Sequence, residues 1–371
     1  MRVSVDCTSL LHEPTGIGVF TRELVSGLAR RGDVDLSVFA VTWRGRDRLG
    51  LVAPTGATVR ARAVPARLAR ECWKHLDVPT ARHLAGRTDV VHGPNFVVPP
   101  GGGAAEVLTI HDLTALHFPE MCTPDVLQWP DLARRAMRRG AWVHTVSEFV
   151  ADEVRDAFPE AGDRVVAVPN GVSEPPPSDA SSDAAAGHHL AGGQRYVLAM
   201  GTVDPRKDLP SLVRAFDLLA AQDPDLVLVL AGADGLGTPA LDDAMAASPN
   251  RSRIVRLGWI DDAKRLALLR GATVVAYPSR YEGFGLVPLE AMAVGTPVVA
   301  TRVGAIPEVV GDGALLVPER DPDALATALG QILSDDTFAE AVADDAFDRV
   351  ALFPWSATVD GLVDIYRRAA G

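Results

Sequence analysis

Twice along the 371-residue chain, short apolar runs of strand length alternate with amphipathic stretches of helix length. That alternation belongs to parallel sheets wrapped by helices. In the first half it predicts strands near 2–6, 34–41, 89–92, 106–110, 142–146 and 165–168, with helices near 18–31, 124–140 and 148–158. In the second half it predicts strands near 195–200, 225–231, 254–257, 273–277, 297–300 and 314–317, with helices near 209–221, 261–270, 286–294, 306–310 and 322–334. The stretch 175–194 opens Pro175-Pro176-Pro177-Ser178 and carries almost nothing to bury, so it reads as a linker. The expectation is an α/β chain of two doubly wound domains, 1–174 and 195–353. The length supports this, because it exceeds the usual span of one hydrophobic core. The final segment, 354–371, is helical by pattern, and the break at Phe353-Pro354 would turn it back toward the first domain. Ligands of open parallel sheets sit at the carboxyl ends of the strands, so two such domains facing each other should form a cleft.

Charge narrows the partners. With 36 Lys+Arg against 48 Asp+Glu, the formal net charge is −12, which argues against nucleic acid. The halves differ: residues 1–174 hold 20 basic and 21 acidic side chains, and 175–371 hold 16 and 27. In the first half, Arg134, Arg135, Arg138, Arg139 and the basic stretch from Arg60 to Arg87 read first as solvated helix faces. They leave an anionic acceptor, or peripheral contact with an anionic membrane surface, as further partners. Cys7, Cys72 and Cys122 lack ligand spacing and suggest reduced thiols. No run approaches the ~18 apolar residues of a spanning helix, and the chain enters a strand at once, so a cytoplasmic setting without a signal peptide is expected.

The most informative segment for function is Tyr281-Glu282-Gly283-Phe284-Gly285-Leu286-Val287-Pro288-Leu289-Glu290. Two carboxylates stand eight positions apart across a glycine loop and a helix start. Gly283 and Gly285 let a ligand approach the backbone closely, and the helix start offers free N–H groups to an anion. Carboxylates accept from vicinal hydroxyls, while amides and the helix dipole favour phosphate. Hydroxyls beside phosphate describe a nucleotide sugar.

Other candidates sit where strands end. Gly16 and Gly18, in Thr15-Gly16-Ile17-Gly18, open the first helix, but Thr21 stands where a dinucleotide fingerprint needs glycine, which disfavours a dehydrogenase. His111-Asp112 follows the strand Val107 to Ile110, pointing an imidazole at the expected ligand, with Asp112 fixing the turn. Arg206 and Lys207 are rare cations in the acidic half, placed to neutralise a diphosphate. After the strand near 254–257, Trp259 and Ile260 could support a base whose ring N–H groups reach Asp262, although Asp261 and Asp262 are also good helix caps. No metal site, cofactor motif, Ser/His/Asp set or phosphate-binding loop of the Gly-Lys-Ser/Thr kind is evident.

Taken together, the loop at 15–20, His111 to Glu120, Thr145 to Phe149, Val168-Pro169-Asn170-Gly171-Val172, Gly201 to Asp208 and Glu282 to Glu290 resemble the retaining family-4 glycosyltransferases of GT-B fold. The resemblance implies two Rossmann-like domains and transfer of a hexose from a nucleotide sugar to an acceptor hydroxyl, with retention and without a metal. It implies that Glu290 holds the ribose hydroxyls, Arg206 and Lys207 the diphosphate, and Glu282 with the Gly283-Phe284-Gly285 amides the sugar, with Thr202 and Leu286 also binding the donor. His111 would touch the transferred sugar. The chain departs at Thr202, where many relatives carry arginine. Likeness to mannosyltransferases makes GDP-mannose the first expectation, with UDP-glucose or a deoxy-sugar nucleotide open. A nucleotide-sugar epimerase on this fold, or a two-lobed sugar-binding protein, is the alternative.

Overall fold

The computed structural model describes residues 1–11 and 15–371, and the chain divides into two units, Met1–Gly171 with Pro354–Gly371, and Val172–Phe353. The first unit holds seven strands: β1 (Arg2–Asp6), β2 (Asp35–Phe39), β3 (Thr58–Arg60), β4 (Val90–Gly93), β5 (Ala105–Ile110), β6 (Trp142–Thr145) and β7 (Val165–Ala167). All neighbours pair in parallel, in the order β3-β2-β1-β4-β5-β6-β7. The second unit holds β8 (Tyr196–Met200), β9 (Val227–Ala231), β10 (Ile254–Gly258), β11 (Val274–Tyr277), β12 (Val298–Thr301) and β13 (Leu315–Val317), in the order β10-β9-β8-β11-β12-β13. Strands β8, β9, β11 and β12 are buried at every residue, as strands covered on both faces must be. In each sheet the order reverses once, between β1 and β4 and between β8 and β11. Such a reversal opens a crevice beyond the carboxyl ends of the strands.

Several elements differ from the pattern reading. The stretch expected as a linker contains an 11-residue helix, Ala180–Leu190, lying against the helix Asp262–Gly271. Its alanines supply helix propensity and Asp179 caps it by accepting from Ser181 N (3.0 Å), so little apolar surface was needed. Helices Ala66–His75, Thr238–Ala247 and Asp336–Val350 were also unpredicted; each buries only two side chains, which leaves a faint apolar stripe. Strand β3 is an edge strand exposed at all three positions and carries no alternation.

The helix Trp355–Ala370 completes the first unit. It packs on the helix Gly16–Ala29, where Gly27 admits the Val359 side chain; a Cβ there would overlap the valine methyls. Beneath it runs a fully buried polar chain through His92, Thr109 and His144. His144 Nε2 faces the Val168 carbonyl (2.9 Å) and must donate, which leaves Nδ1 as the acceptor from Thr109 Oγ1 (2.9 Å). Thr109 Oγ1 therefore accepts from His92 Nε2 (2.8 Å), and His92 Nδ1 accepts from the Tyr366 hydroxyl (2.7 Å). One carbonyl thus sets every donor from β6 to the C-terminal helix. Phe20 stacks on His144 at 5.6 Å.

Candidate functional site

At the sheet reversal of the second unit, the chain leaving β8 meets the chain leaving β11. The loop after β8 closes into the short turn Pro205–Lys207, capped by Asp204, whose side chain accepts from Arg206 N (2.9 Å). The loop after β11 docks beside it, with Arg280 N donating to the Arg206 carbonyl (2.7 Å). Lys207 Nζ donates to Glu282 Oε1 (2.6 Å) and to the Tyr277 hydroxyl (2.7 Å), with the ammonium 4.5 Å from the Tyr277 ring centre. Arg206 donates to the Tyr281 carbonyl (3.2 Å) and lies 3.8 Å from Glu282 Oε2. Two cations therefore share one carboxylate that is only 7% exposed.

Burial alone would raise the Glu282 carboxyl. Lys207 and Arg206 outweigh it and hold the group below the ordinary carboxylate range. Burial likewise opposes the charge on Lys207, but Glu282 keeps its ammonium above the usual lysine value. Burial pushes the Tyr277 phenol up to about 12, so it stays protonated. With Arg206, which also lies 3.5 Å from Asp204, the three form a fixed cluster of two cations and two carboxylates.

Beyond Glu282 the segment Gly283-Phe284-Gly285 is buried and leads into the helix Leu286–Ala293. Gly285 is the cap residue at φ +113, a conformation that favours glycine, and no side chain caps the N–H groups that follow. On the helix, Glu290 pairs with Arg265, which reaches across from Asp262–Gly271. Arg265 was missed by the sequence reading, because the pair bridges 25 positions and no local pattern marks it. Trp259, 50% exposed, and Ile260 leave the end of β10. Asp261 caps the next helix through Lys264 N (2.9 Å), while Asp262 is its first residue. Thr202 is exposed in the loop after β8.

In the first unit, His111 follows β5 and is half-buried, with Nε2 donating to the Pro94 carbonyl (2.8 Å) from the loop after β4. That bond places the ring proton on Nε2 and leaves Nδ1 as an acceptor. Burial lowers the imidazole pKa, so the ring is neutral near pH 7. Asp112 fixes the turn by accepting from Thr114 N (2.9 Å). Thr15 caps the helix Gly16–Ala29, accepting from Gly18 N (3.3 Å), and Phe20 sets its edge against His111 at 5.1 Å. Thr21 is buried, donates to the Ile17 carbonyl (2.8 Å) and receives the Ser9 hydroxyl (2.9 Å). Among the described residues, no group of three or more His, Cys, Asp or Glu is gathered as a metal site requires. No helix among them is long and apolar enough to cross a membrane.

The family models for Glycosyltransferase Family 4 and for group 1 glycosyl transferases match residues 14–174 and 182–349. The O-antigen chain mannosyltransferase B of Escherichia coli is 30% identical over 282 residues, covering 75% of this chain and 74% of that protein. A D-inositol 3-phosphate glycosyltransferase of Kineococcus radiotolerans is 31% identical over 402 residues, covering 95% and 90%. Sucrose-phosphate synthase from Thermosynechococcus elongatus superposes with a TM-score of 0.77 at 22% identity, covering 99% of this chain and 98% of that one. Anabaena HepE, solved with UDP and glucose, gives 0.71 at 18% identity and 98% coverage of both. Two parallel-sheet Rossmann-like units with these matches define a glycosyltransferase of GT-B fold. Within that class the chain belongs to glycosyltransferase family 4.

Proposed function

We propose that the chain transfers a hexose from a nucleotide sugar to an acceptor hydroxyl, with retention and without a metal. The supporting observation is the cluster of Lys207, Arg206 and Glu282 at the sheet reversal, next to an uncapped helix start. A diphosphate arriving there meets two cations and free amides, and Glu282 is left to face the sugar hydroxyls. Negative charge grows on the leaving diphosphate as the glycosidic bond breaks. Fixed cations then stabilise the transition state more than the ground state. Glu282 is held ionised by two cations and is a poor nucleophile, so we assign it and His111 to positioning and electrostatics.

In this reading Glu290 takes the ribose hydroxyls, Trp259, Ile260 and Asp262 border the base, and Gly283 to Leu286 hold the sugar and phosphate. His111 offers Nδ1 to the transferred sugar, while Gly16 and Gly18 allow close approach at the first helix. Mannose from GDP-mannose is the first donor, supported by the relative named as a mannosyltransferase. The relatives named for inositol 3-phosphate favour a small phosphorylated acceptor as a second reading. Cytoplasmic placement and contact of first-unit arginines with anionic lipid stay proposals, and the second is weakened because Arg134, Arg135, Arg138 and Arg139 already pair with Asp131, Asp77, Glu160 and Glu106.

The test is a donor screen. Incubation with GDP-mannose or UDP-glucose, with and without a simple acceptor alcohol, should release the nucleoside diphosphate only when acceptor is present. Rearranged sugar nucleotide without acceptor would point to epimerisation instead, and no turnover with any donor would overturn the proposal.

A further inference from the structure

The sheet of the first unit carries a second concave region, at the end opposite His111. A cavity of about 850 Å³ opens to solvent at the amino ends of β1 and β5, beside the glycine loop at 101–103 and the end of the helix Trp355–Ala370. That is room for a molecule of nucleotide size. Four arginines line it, Arg2, Arg82, Arg87 and Arg367, against one side-chain carboxylate, Asp89. Asp89 is committed to Arg2, accepting its backbone N–H (2.8 Å) as well as its guanidinium. Arg367 reaches Asp33 (2.8 Å) and Asp364 (3.0 Å), neither of which lines the cavity.

The guanidiniums of Arg82 and Arg87 have no hydrogen-bond or ion-pair partner among the described residues. The same holds for the consecutive peptide N–H groups of Gly102 and Gly103, at φ +61 and +104. In a chain with a formal charge of −12, this cavity concentrates unneutralised positive charge beside unpaired amides. Guanidiniums matched with successive free amides suit the oxygens of a phosphate.

We propose that this cavity is a phosphate-binding site, separate from the sugar-transfer residues of the second unit and independent of which donor they use. Its ligand is a small anion bearing two or more phosphate charges, or the phosphate headgroup of a lipid. Inorganic pyrophosphate is the probe. Calorimetric titration of the native protein should show a class of sites that the Arg82→Ala/Arg87→Ala double variant loses and the Lys207→Ala variant keeps. Each lost charge-assisted contact should weaken binding roughly tenfold. Both arginines are exposed, so the melting temperature should not move, and Arg87→Glu should repeat the loss. Equal pyrophosphate binding by native and double-variant protein, or none by the native protein, would overturn the site. Flotation with vesicles of phosphatidylcholine plus phosphatidic acid separates the sources. Co-flotation lost in the double variant assigns a lipid headgroup; pyrophosphate binding without flotation assigns a soluble phosphate.

Discussion

Lowering the pH from 7.5 to 5.5 should remove about 2.7 kcal/mol of stability from the first unit through two histidines alone. His92 and His144 are fully buried, and the hydrogen-bond chain from Tyr366 to the Val168 carbonyl requires both to be neutral. Burial pushes His144 down to about 3 and His92 well below its ordinary range. In the unfolded chain each titrates near ~6.5. The folded values lie lower, so the unfolded state binds the extra protons. The stability is complete above ~6.5 and is lost as the pH falls from there toward the folded values. Integrated between the two pH values, each histidine contributes about 1.4 kcal/mol. His144→Gln keeps one donor and one acceptor but cannot titrate. Urea unfolding at both pH values, followed by tryptophan fluorescence, is the assay, because five of the six tryptophans lie in the first unit. The drop in stability on acidification should shrink by about 1.4 kcal/mol in the variant. Asp6, pushed up to about 6 by burial, works in the opposite sense but is common to both proteins and cancels. An identical drop in native and variant protein would refute the argument that His144 is neutral and sealed.

At the proposed donor site, Lys207→Ala should weaken nucleoside diphosphate binding at least tenfold. It should also cost about 3 kcal/mol of stability, because it strips a buried carboxylate of its closest cation; calorimetry and urea unfolding read the two effects. Glu282→Gln should act in the opposite direction on binding: it frees Lys207 and Arg206, so a nucleoside diphosphate binds more tightly while turnover falls. Arg265→Ala should weaken nucleoside diphosphate binding, because Glu290 loses the partner that orients it. Pyrophosphate bound in the presence of the Arg82→Ala/Arg87→Ala changes should be unaffected by that substitution. Gly285→Ala should lower stability by about 1–3 kcal/mol, since the residue sits at φ +113 and a Cβ would lie 2.7 Å from Ile306 Cδ1; thermal melting checks it.

Both sheets were legible because their central strands are uninterrupted apolar runs, such as Val227–Ala231, bounded by polar turns. Helices holding an amphipathic stripe, such as Leu209–Ala220 and Pro322–Ser334, were equally legible. Elements that bury little were not: Ala180–Leu190 hides only Gly187, and its start depends on a cap rather than on a stripe. At the candidate site, the spacing from Glu282 to Glu290 stood out because it brackets a glycine loop and a helix start, and Arg206-Lys207 because cations are rare in the acidic half. What the sequence hid were pairings between distant strands and helices. Arg265 carries no local signal because its partner Glu290 lies on another helix, and His92, Thr109 and His144 fall on three different strands.

The first unit is assembled from two separated stretches, Met1–Gly171 and Pro354–Gly371, with the helix Trp355–Ala370 supplying Tyr366 and the surface against Gly27. On the ribosome, the second unit emerges whole as one uninterrupted stretch and can mature while its neighbour still lacks a wall. Residues 1–171 therefore finish folding only after residues 354–371 appear, and a chain stalled before residue 354 would carry a complete second unit and an unsealed first one.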